Sequence, residues 1–390
     1  MVKEFNMRNV WRKRGISRVP IVHQVMQRPT PGRVSILSDG SVVVEVGGIE
    51  IGQGLWTKVK QMVAYGLGLT KCAGSDELIE RVRVVQADTL GLIQGGFTAG
   101  STTSENSCEA VRLCCVMLVE RLKVTMDQMM MEKKSGSVTW NKLIQQAYAQ
   151  SVNLSASALY TPEFSSMEYL NYGVGVSEAS HMLNYCLFNQ CSKNRSSWRL
   201  IDKSDLNKTV EVDVLTGKTE ILRSDIIYDC GKSLNPAVDL GQLSRDGLCE
   251  KVEGAFVQGI GFFMMEEYTT DEKGLVVQQG TWDYKIPTVD TIPKQFNVEI
   301  LNTGHHKNRV LSSKASGEPP LLLAASVHCA TRSAIREARK QSLSWNCNDG
   351  NRDVSGVDFE LPVPATMPVV KGLCGLYSVE KYLEGKICGK

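Results

Sequence analysis

The sequence lacks the features that mark several common classes of protein. Its 390 residues contain no apolar run near the roughly 18 residues that a membrane-spanning helix needs. Its 44 basic residues are balanced by 42 acidic residues, which leaves a net charge of only +2. We therefore expect the chain to bind neither a membrane nor nucleic acid. The N-terminus has no apolar segment of the kind found in secretory signals, so we expect a cytoplasmic protein.

Common metal and nucleotide motifs are missing as well. The chain has 12 cysteines, but no C-x-x-C pair and no cysteine–histidine cluster of the zinc type. We expect most of these cysteines to be reduced and buried as small hydrophobic residues. Gly52-Gln53-Gly54 has no third glycine at the spacing of a dinucleotide motif, and no Gly-Lys-Ser/Thr sequence occurs. No cysteine cluster of the iron–sulfur type is present either.

The patterns that are present predict a globular protein that mixes hairpins with helices. Its length is enough for two or three cores, and 42% of its residues are apolar. Alternating runs flank Asp39-Gly40 and Thr216-Gly217 and predict two β-hairpins, the first with a primed turn. Further strands are predicted at 226–229 and 296–301, and helices at 55–67, 105–131, 253–268, from 318 to about 340, and at 379–383. This mixture predicts an α+β fold.

Two glycine-rich turns, at 47–54 and 95–104, each lead directly into a predicted helix. Glycine lets the backbone approach a ligand closely, and a helix N-terminus presents unpaired N–H groups to anions. The turns therefore favour a phosphate site, although ordinary loop-to-helix joints have the same pattern. Glutamines beside glycines, such as Gln53 and Gln242, carry amides that can bind the edge of a pterin or a base, or are simply solvated.

Glu318 lies between a glycine and two prolines, immediately before an apolar run. Proline is favoured in the first turn of a helix because the N–H that it lacks would be unpaired there. We therefore expect Glu318 at or just before a helix N-terminus, with its side chain free to face a cavity. A solvated acid that complements the helix dipole is the alternative. The nearby Lys314 either tunes the charge of this acid or is a surface lysine.

Five segments in order resemble the C-terminal part of the molybdenum hydroxylases, the family of xanthine dehydrogenase and aldehyde oxidase. These segments are Gly47-Gly48-Ile49-Glu50-Ile51-Gly52-Gln53-Gly54-Leu55-Trp56-Thr57-Lys58, Thr98-Ala99-Gly100-Ser101-Thr102-Thr103-Ser104-Glu105, Ser233-Leu234-Asn235-Pro236-Ala237-Val238-Asp239-Leu240-Gly241-Gln242, Glu253-Gly254-Ala255-Phe256-Val257-Gln258-Gly259 and Gly317-Glu318-Pro319-Pro320-Leu321. The segments 326–339 and 360–368 look like plant aldehyde oxidases in particular.

The resemblance implies a molybdenum–molybdopterin cofactor and an enzyme that oxidises a small aldehyde to a carboxylic acid with oxygen from water. Glu318 matches the catalytic general base of the family. Gln53 and Gln242 match glutamines that contact the pterin, and Gly100 falls where the backbone packs beside the ligand shell of the metal. The loop that holds the cofactor phosphate is matched by Thr98, Gly100, Ser101, Thr102 and Thr103. The family also implies a homodimer of the full-length enzyme.

Two alternatives remain open at this point. A xanthine dehydrogenase would hydroxylate purines, and the pocket residues that distinguish it lie mainly outside this sequence. A non-catalytic truncated paralogue would instead bind a full-length enzyme as a dimer subunit.

The sequence departs from the family pattern in two ways. The 2Fe-2S and FAD domains of the family, and the first half of its molybdenum region, are expected upstream of this sequence. We therefore expect about half of a split cofactor site and no turnover by this chain alone. Two atypical stretches, 179–209 and 243–251, are expected to be surface loops or translated intron remnants. The expected organisation is one subdomain at 1–178 with both glycine-rich loops, the insertion at 179–209, a second subdomain at 210–345 and a tail at 346–390.

Overall fold

The computed structural model describes residues 2–86, 88, 90–91, 93, 95–132, 138–164, 167–177, 210–240, 251–301, 304, 306, 309–346 and 357–376. The α-helices in these residues are α1 Val2–Arg8, α2 Leu55–Gly68, α3 Ser75–Arg81, α4 Thr103–Glu132, α5 Trp140–Ala149, α6 Pro236–Leu240, α7 Lys251–Met264, α8 Ala325–Asn346 and α9 Met367–Leu373. The strands are β1 Arg12–Gly15, β2 Ser17–Met26, β3 Thr30–Ile36, β4 Val42–Val46, β5 Val82–Val85, β6 Ser155–Tyr160, β7 Glu168–Ser177, β8 Val210–Asp213, β9 Thr219–Ile221, β10 Arg223–Asp229 and β11 Gln295–Ile300. The predicted α+β class is confirmed.

The first core lies between a four-stranded sheet and the helices α2, α4 and α5. The strand order is β5-β4-β3-β6, with β5 parallel to β4 and the other pairs antiparallel. Every second residue of β3 and β4 is buried, including Val34 and Val44, because alternate side chains of a strand point to the same face. The predicted hairpin is confirmed. Its primed turn is wrong, because only Gly40 has a positive φ (85°) and Asp39 does not.

The second core is built on two sheets, with the strand orders β11-β10-β7-β2 and β1-β8-β9. Its helices are α7 and α8, which bury Phe256, Ile260, Val327 and Ile335. The predicted hairpin around Gly217 is confirmed as β8 and β9. Strands β1 and β2 come early in the chain, yet they pair with β8 and β7. The boundaries that the sequence predicts for the subdomains stay a prediction.

The chain around Glu318 is organised differently from the single helix that the sequence predicts. Pro319–Ala324 form a 3-10 helix with Glu318 as its N-cap residue, and α8 begins only at Ala325. Glu318 therefore does lie at a helix N-terminus, as predicted. Helix α7 ends at Met264 rather than 268. The helix predicted at 379–383 lies outside the described residues.

The structure also describes the cysteines, the apolarity of the helices and the grouping of possible metal ligands. The seven cysteines in the described ranges are free thiols, and all are buried except Cys72 and Cys329. In the same ranges, no helix is both long and apolar enough to cross a membrane. The described histidine, cysteine, aspartate and glutamate side chains form no group of three that could hold a metal ion.

Candidate functional site

Two segments that are more than 200 residues apart in sequence meet at Glu318. The backbone N–H of Gly100 donates a hydrogen bond to Glu318 Oε1 at 2.9 Å. In return, the backbone N–H of Glu318 donates to Ser101 Oγ at 2.6 Å. Glu318 itself is exposed and makes no capping bond to its own helix. Its carboxylate is thus held at one oxygen by the glycine-rich loop and stays accessible from outside.

The backbone conformation of the loop explains this close approach. Gly100 (φ 72°) and Ser101 (φ 56°) both adopt left-handed φ values, which a serine rarely does. Such strain persists where the surroundings hold it, and it clusters at functional sites. On the opposite side, a Cβ on Gly317 would lie 2.9 Å from Ser101 Oγ. A glycine at 317 therefore allows the two segments to come together.

Unpaired polar groups surround the beginning of α4. The hydroxyl of Thr102, which is only 1% exposed, has no hydrogen-bond partner, and neither does that of Ser104. Arg28 donates to Thr103 Oγ1 at 3.0 Å and to the carbonyl oxygen of Phe97, whose ring lies under its guanidinium group. The buried Nε of Arg28 is also unpaired. Hydroxyls and an arginine at the N-terminus of a 30-residue helix form a donor set for a phosphate.

The first glycine-rich turn differs from the second because its helix N-terminus is already occupied. The carboxylate of Glu50 accepts hydrogen bonds from the backbone N–H groups of Gly52, Gly54 and Trp56 at 2.9–3.1 Å. The amide of Gln53 is likewise engaged within its own turn, with the backbone of Ile49 and Ile51. Of the two turns considered as phosphate sites, only the one at 95–104 presents unpaired buried hydroxyls.

Asp239, in the third of the five family-like segments, connects the first segment with the residue that precedes the fifth. Its carboxylate accepts hydrogen bonds from Lys58, at the end of the first segment, and from Ser316 Oγ at 2.7 Å, two residues before Glu318. Ser233 Oγ donates at 2.6 Å, and Lys251 Nζ lies 3.3 Å away. Burial disfavours the charged carboxylate, but the lysine charges outweigh burial and hold the pKa of Asp239 well below its usual range. This buried ionic cluster thus holds the segment before Glu318 in place.

A second buried network lies beneath the other side of the loop and is centred on Glu105 in the first turn of α4. Gln27 Nε2 donates to Glu105 Oε1 at 2.7 Å, and the Tyr169 hydroxyl donates to Oε2 at 2.8 Å. Arg309 Nη1 lies 3.4 Å from Oε1. The Tyr169 oxygen also accepts the backbone N–H of Ala315 at 2.8 Å. This network connects the start of α4 with the segment that leads to Glu318.

Comparison with known proteins shows the family. The family profile for the molybdopterin cofactor-binding domain matches residues 1–182 and 208–293, which is more than half of the chain. The chain belongs to this family. The profile leaves out 183–207, which falls within the stretch 179–209 that the sequence marks as atypical. The family is a molybdenum hydroxylase family, as the sequence predicts, and the matching region resembles that of aldehyde oxidases.

Plant aldehyde oxidases are similar to this molybdopterin-binding chain along its whole length. Abscisic-aldehyde oxidase from Arabidopsis thaliana is 78% identical over 100% of the chain, and an indole-3-acetaldehyde oxidase from the same plant is 60% identical over 99%. The chain spans only 26% of either relative. Its fold is similar to that of reconstituted CO dehydrogenase from Oligotropha carboxidovorans, with a TM-score of 0.69 at 16% identity, over 97% of this chain and 42% of the other.

The residues at the beginning of α4 fit the cofactor that the family implies. Molybdopterin carries a phosphate, and the unpaired Thr102 and Ser104 hydroxyls and the Arg28 Nε are donors without partners. Burying such groups without a hydrogen bond is unfavourable, so a ligand that accepts from them is accommodated at little cost. In a molybdopterin-binding domain, these groups are suited to the phosphate.

The predicted site residues are therefore distributed over more than one place. Gly100, Ser101 and Glu318 lie in direct contact, and Thr102 and Thr103 follow at the start of α4. The Thr98 hydroxyl accepts the backbone N–H of Ile49, which ties the two glycine-rich turns together. Gln53 is turned towards its own backbone, and Gln242 lies outside the described residues. Their roles towards the cofactor stay predictions.

Other residues of the site were not singled out from the sequence. Glu105 and Asp239 fall inside the quoted segments, whereas Arg28 follows β2, and all three act through residues distant in sequence. Lys314 is not a surface lysine, because it is buried and pairs with Asp229 at 3.1 Å. Lys251, in the stretch 243–251 for which a surface loop was one expectation, is largely buried against Asp239.

The network around Glu105 predicts a pH dependence of stability. Burial raises the pKa of Glu105 to about 7 from the ordinary 4.5, although Arg309, Tyr169 and Gln27 oppose this. Because the folded pKa is the higher one, the contribution to stability is complete below pH 4.5 and is lost as pH rises through 7. The loss amounts to about 3 kcal/mol, at about 1.4 kcal/mol per pKa unit.

Urea unfolding of the 390-residue chain between pH 4.5 and 8 tests this prediction. We expect the free energy of unfolding to fall with pH more steeply in the unsubstituted chain than in Glu105→Gln. The exposed Glu120→Gln on the same helix controls for the loss of a carboxylate and is expected to keep the original slope. Equal slopes for Glu105→Gln and the unsubstituted chain would contradict the prediction.

Proposed function

We propose that this chain is the C-terminal molybdenum-cofactor-binding portion of an aldehyde oxidase, which oxidises aldehydes to carboxylic acids with oxygen from water. Relatives named as aldehyde oxidases support the substrate class, and they favour it over the purines of a xanthine dehydrogenase. The chain spans about a quarter of these relatives, so complete turnover is proposed only for an assembly that contains the rest. A cytoplasmic location and a homodimer of the full-length enzyme are part of the same proposal.

The observation that carries this proposal is the contact of Gly100 and Ser101 with Glu318. It brings the proposed phosphate-binding loop and the proposed base within one hydrogen bond of each other. One carboxylate oxygen is held by the Gly100 N–H, and the exposed side chain can receive a proton. Oxidising an aldehyde to an acid adds one oxygen from water and releases two electrons and two protons. We assign to Glu318 the removal of a proton from the attacking oxygen.

The bound cofactor would supply the acceptor for the two electrons. The proposed role of this chain is to hold and orient the cofactor. The Thr102 and Ser104 hydroxyls and Arg28 are suited to the phosphate, while the N-terminus of α4 adds favourable dipole charge. Asp239 and Glu105 are placed as positioning residues, since they fasten the two segments that meet at Glu318 and contact no reacting atom.

Cofactor retention tests the proposal without relying on activity. The tagged chain is co-expressed with the remaining part of the Arabidopsis abscisic-aldehyde oxidase, and molybdenum and pterin are measured per purified complex. Thr102→Val keeps the shape and removes the unpaired hydroxyl. We expect it to lower cofactor affinity about 10- to 150-fold, because a hydrogen bond to a charged group contributes about 1.5–3 kcal/mol.

A buried threonine in another helix provides the matched control. Thr331 in α8 already bonds the Val327 carbonyl oxygen at 3.0 Å, so Thr331→Val is expected to leave cofactor affinity unchanged. Complexes that contain neither molybdenum nor pterin would overturn the proposal. Equal cofactor retention in Thr102→Val and Thr331→Val would remove Thr102 from the site.

A further inference from the structure

Both backbone polar groups of Ala315, three residues before Glu318, are bonded to tyrosine hydroxyls. The Ala315 N–H donates to the Tyr169 oxygen at 2.8 Å, and the Ala315 carbonyl oxygen accepts the Tyr228 hydroxyl at 2.7 Å. The amide nitrogen of Asn171 donates to the same carbonyl oxygen, also at 2.7 Å. We call Tyr169, Asn171 and Tyr228 the Ala315 clamp. One residue of an irregular segment therefore has three hydrogen bonds to side chains of two neighbouring strands.

The sheet directs these three side chains to one point. Tyr169 and Asn171 are alternate residues of β7, so they lie on the same face of the sheet. Tyr228 lies on β10, directly opposite Gly173 in the antiparallel pair. A Cβ on Gly173 would lie 3.0 Å from Tyr228 Cδ2, so a glycine at this position leaves space for the tyrosine ring. The Ala315 clamp thus depends on the register of β7 and β10.

Stability alone does not explain the asparagine of the clamp. The side chains of Asn171 and Tyr228 are both 0% exposed, and the Asn171 amide nitrogen also donates to the Tyr228 oxygen at 2.7 Å. Among the described residues, however, Asn171 Oδ1 has no hydrogen-bond partner. Burying an unpaired amide oxygen is unfavourable, and an apolar side chain would avoid it. Such a group needs an explanation, and the fixing of the Ala315 carbonyl group supplies one.

Only Ser316 and Gly317 separate the clamped residue from Glu318. Ser316 Oγ is itself bonded to Asp239 at 2.7 Å, whereas Gly317 has no side chain through which it could be held. The position of Glu318 therefore depends on where the preceding residues are fixed. Displacing a catalytic group by about 1 Å can lower a rate by about 10²-fold.

We propose that the Ala315 clamp sets the position of the Glu318 carboxylate, with Tyr228 and Tyr169 as positioning residues. The clamp holds the chain on one side of the carboxylate, and the Gly100 N–H holds one of its oxygens on the other. This inference rests on the proposed function, in which Glu318 removes a proton from the attacking oxygen.

Turnover by the co-expressed complex tests the clamp. Tyr228→Phe removes only a hydroxyl, and we expect it to lower kcat about tenfold, because the base is displaced. The KM and the molybdenum content are expected to stay the same, because the clamp contacts neither substrate nor cofactor. Tyr169→Phe, at the N–H of Ala315, is expected to behave in the same way. Tyr284→Phe is the matched control: its hydroxyl donates to Glu266 at 2.6 Å, and kcat is expected to be unchanged.

Repeating Tyr228→Phe in the Glu318→Gln complex separates positioning from a general structural role. If the tyrosine acts through the carboxylate, its effect on kcat is expected to disappear once the carboxylate is gone, because two residues that act as a unit are not additive. A tyrosine that only supports the fold would lower kcat about tenfold again. That second result would overturn the proposal, as would a loss of kcat that merely follows a loss of molybdenum.

Hydrogen exchange in the 390-residue chain gives a measurement that is independent of activity. Tyr228 bonds the carbonyl oxygen of Ala315 and no backbone N–H group of this segment. The Glu318 N–H, which donates to Ser101 Oγ, is nevertheless expected to exchange about fivefold faster in Tyr228→Phe, because the segment is displaced. Tyr284→Phe is expected to leave its exchange unchanged.

The failure of the clamp and the failure of the proposed function give different results. If Tyr228→Phe keeps full turnover while Glu318→Gln is slow, the clamp is overturned and the proposed function stands. If Glu318→Gln keeps full turnover, the base falls and the role of the clamp falls with it. If complexes contain neither molybdenum nor pterin, the proposed function fails. In that case, unchanged exchange of the Glu318 N–H in Tyr228→Phe would overturn the clamp as well, and faster exchange would support it.

Discussion

Replacing Glu318 by glutamine is expected to slow aldehyde turnover by the co-expressed complex about 10²–10⁴-fold, the contribution typical of a general base. The amide keeps an oxygen that can accept the Gly100 N–H, so the contact between the two segments is retained. The amide cannot accept a proton as a carboxylate does. The loss is therefore expected in kcat, with little change in KM or in molybdenum content.

Dye reduction by an aldehyde measures this effect, and metal analysis shows that the cofactor is present. Glu360→Gln, at an exposed glutamate two residues before Pro362, is the control and is expected to retain full turnover. The 390-residue chain by itself is expected to be inactive. Full turnover by a cofactor-loaded Glu318→Gln complex would remove Glu318 from the role of base.

Replacing Asp239 by asparagine is expected to reduce the free energy of unfolding by about 3–5 kcal/mol, because it leaves buried lysine charge without its partner. Lys58 is only 3% exposed, and Lys251 lies beside it on the same carboxylate. Asparagine preserves the volume of the side chain, but its single oxygen can accept from only one of Ser316 and Ser233, which donate to different oxygens of Asp239. The loss would therefore come mainly from the missing charge and in smaller part from one hydrogen bond. Urea unfolding at neutral pH measures it.

Two comparisons test whether the loss of stability in Asp239→Asn comes from buried, unpaired lysine charge rather than from the loss of any ion pair. Glu220→Gln breaks an exposed pair with Lys294, 2.7 Å apart, and is expected to cost less than about 1 kcal/mol. Burial and Lys58 lower the pKa of Lys251, because one carboxylate cannot compensate two buried cations. Lys251→Met is therefore expected to be neutral or stabilising, whereas Lys58→Met is destabilising. Equal losses for the two lysine variants would contradict this account of Asp239.

The elements that were predicted from the sequence share a strong local signal. The hairpin at 30–46 has alternating residues about a glycine, and α2 and α4 follow glycine-rich turns with helical apolar spacing. Strands β2 and β7 were missed although each has ten residues. Glycines at 173 and 175 are poor strand formers, and their use appears only in packing, where they leave room for Leu323.

The residues of the candidate site also differ in whether a local sequence signal marks them. Glu318 and Gly100 could be singled out as candidates because their chemistry and spacing stand in short contiguous motifs, and the structure brings the two into contact. Arg28, Glu105 and Asp239 could not, because each has a partner far away in the chain: Phe97 lies 69 residues from Arg28, Arg309 lies 204 from Glu105 and Lys58 lies 181 from Asp239. Contacts over such separations depend on how the sheets and helices pack, and no local pattern encodes them. The free energy of burying a charge likewise depends on its final neighbours.

The order of the motifs in the chain identifies the family and indicates Glu318 as the proposed base. That order does not place the loop at 98–103 against Glu318. The placement comes from the buried clusters of Asp239 and Glu105, which hold α2, α4 and the segment before Glu318 together, and from glycines that let backbones approach. This placement requires charged groups that are distant in the chain, and burying any one of them alone is unfavourable. It therefore becomes favourable only when the whole fold assembles.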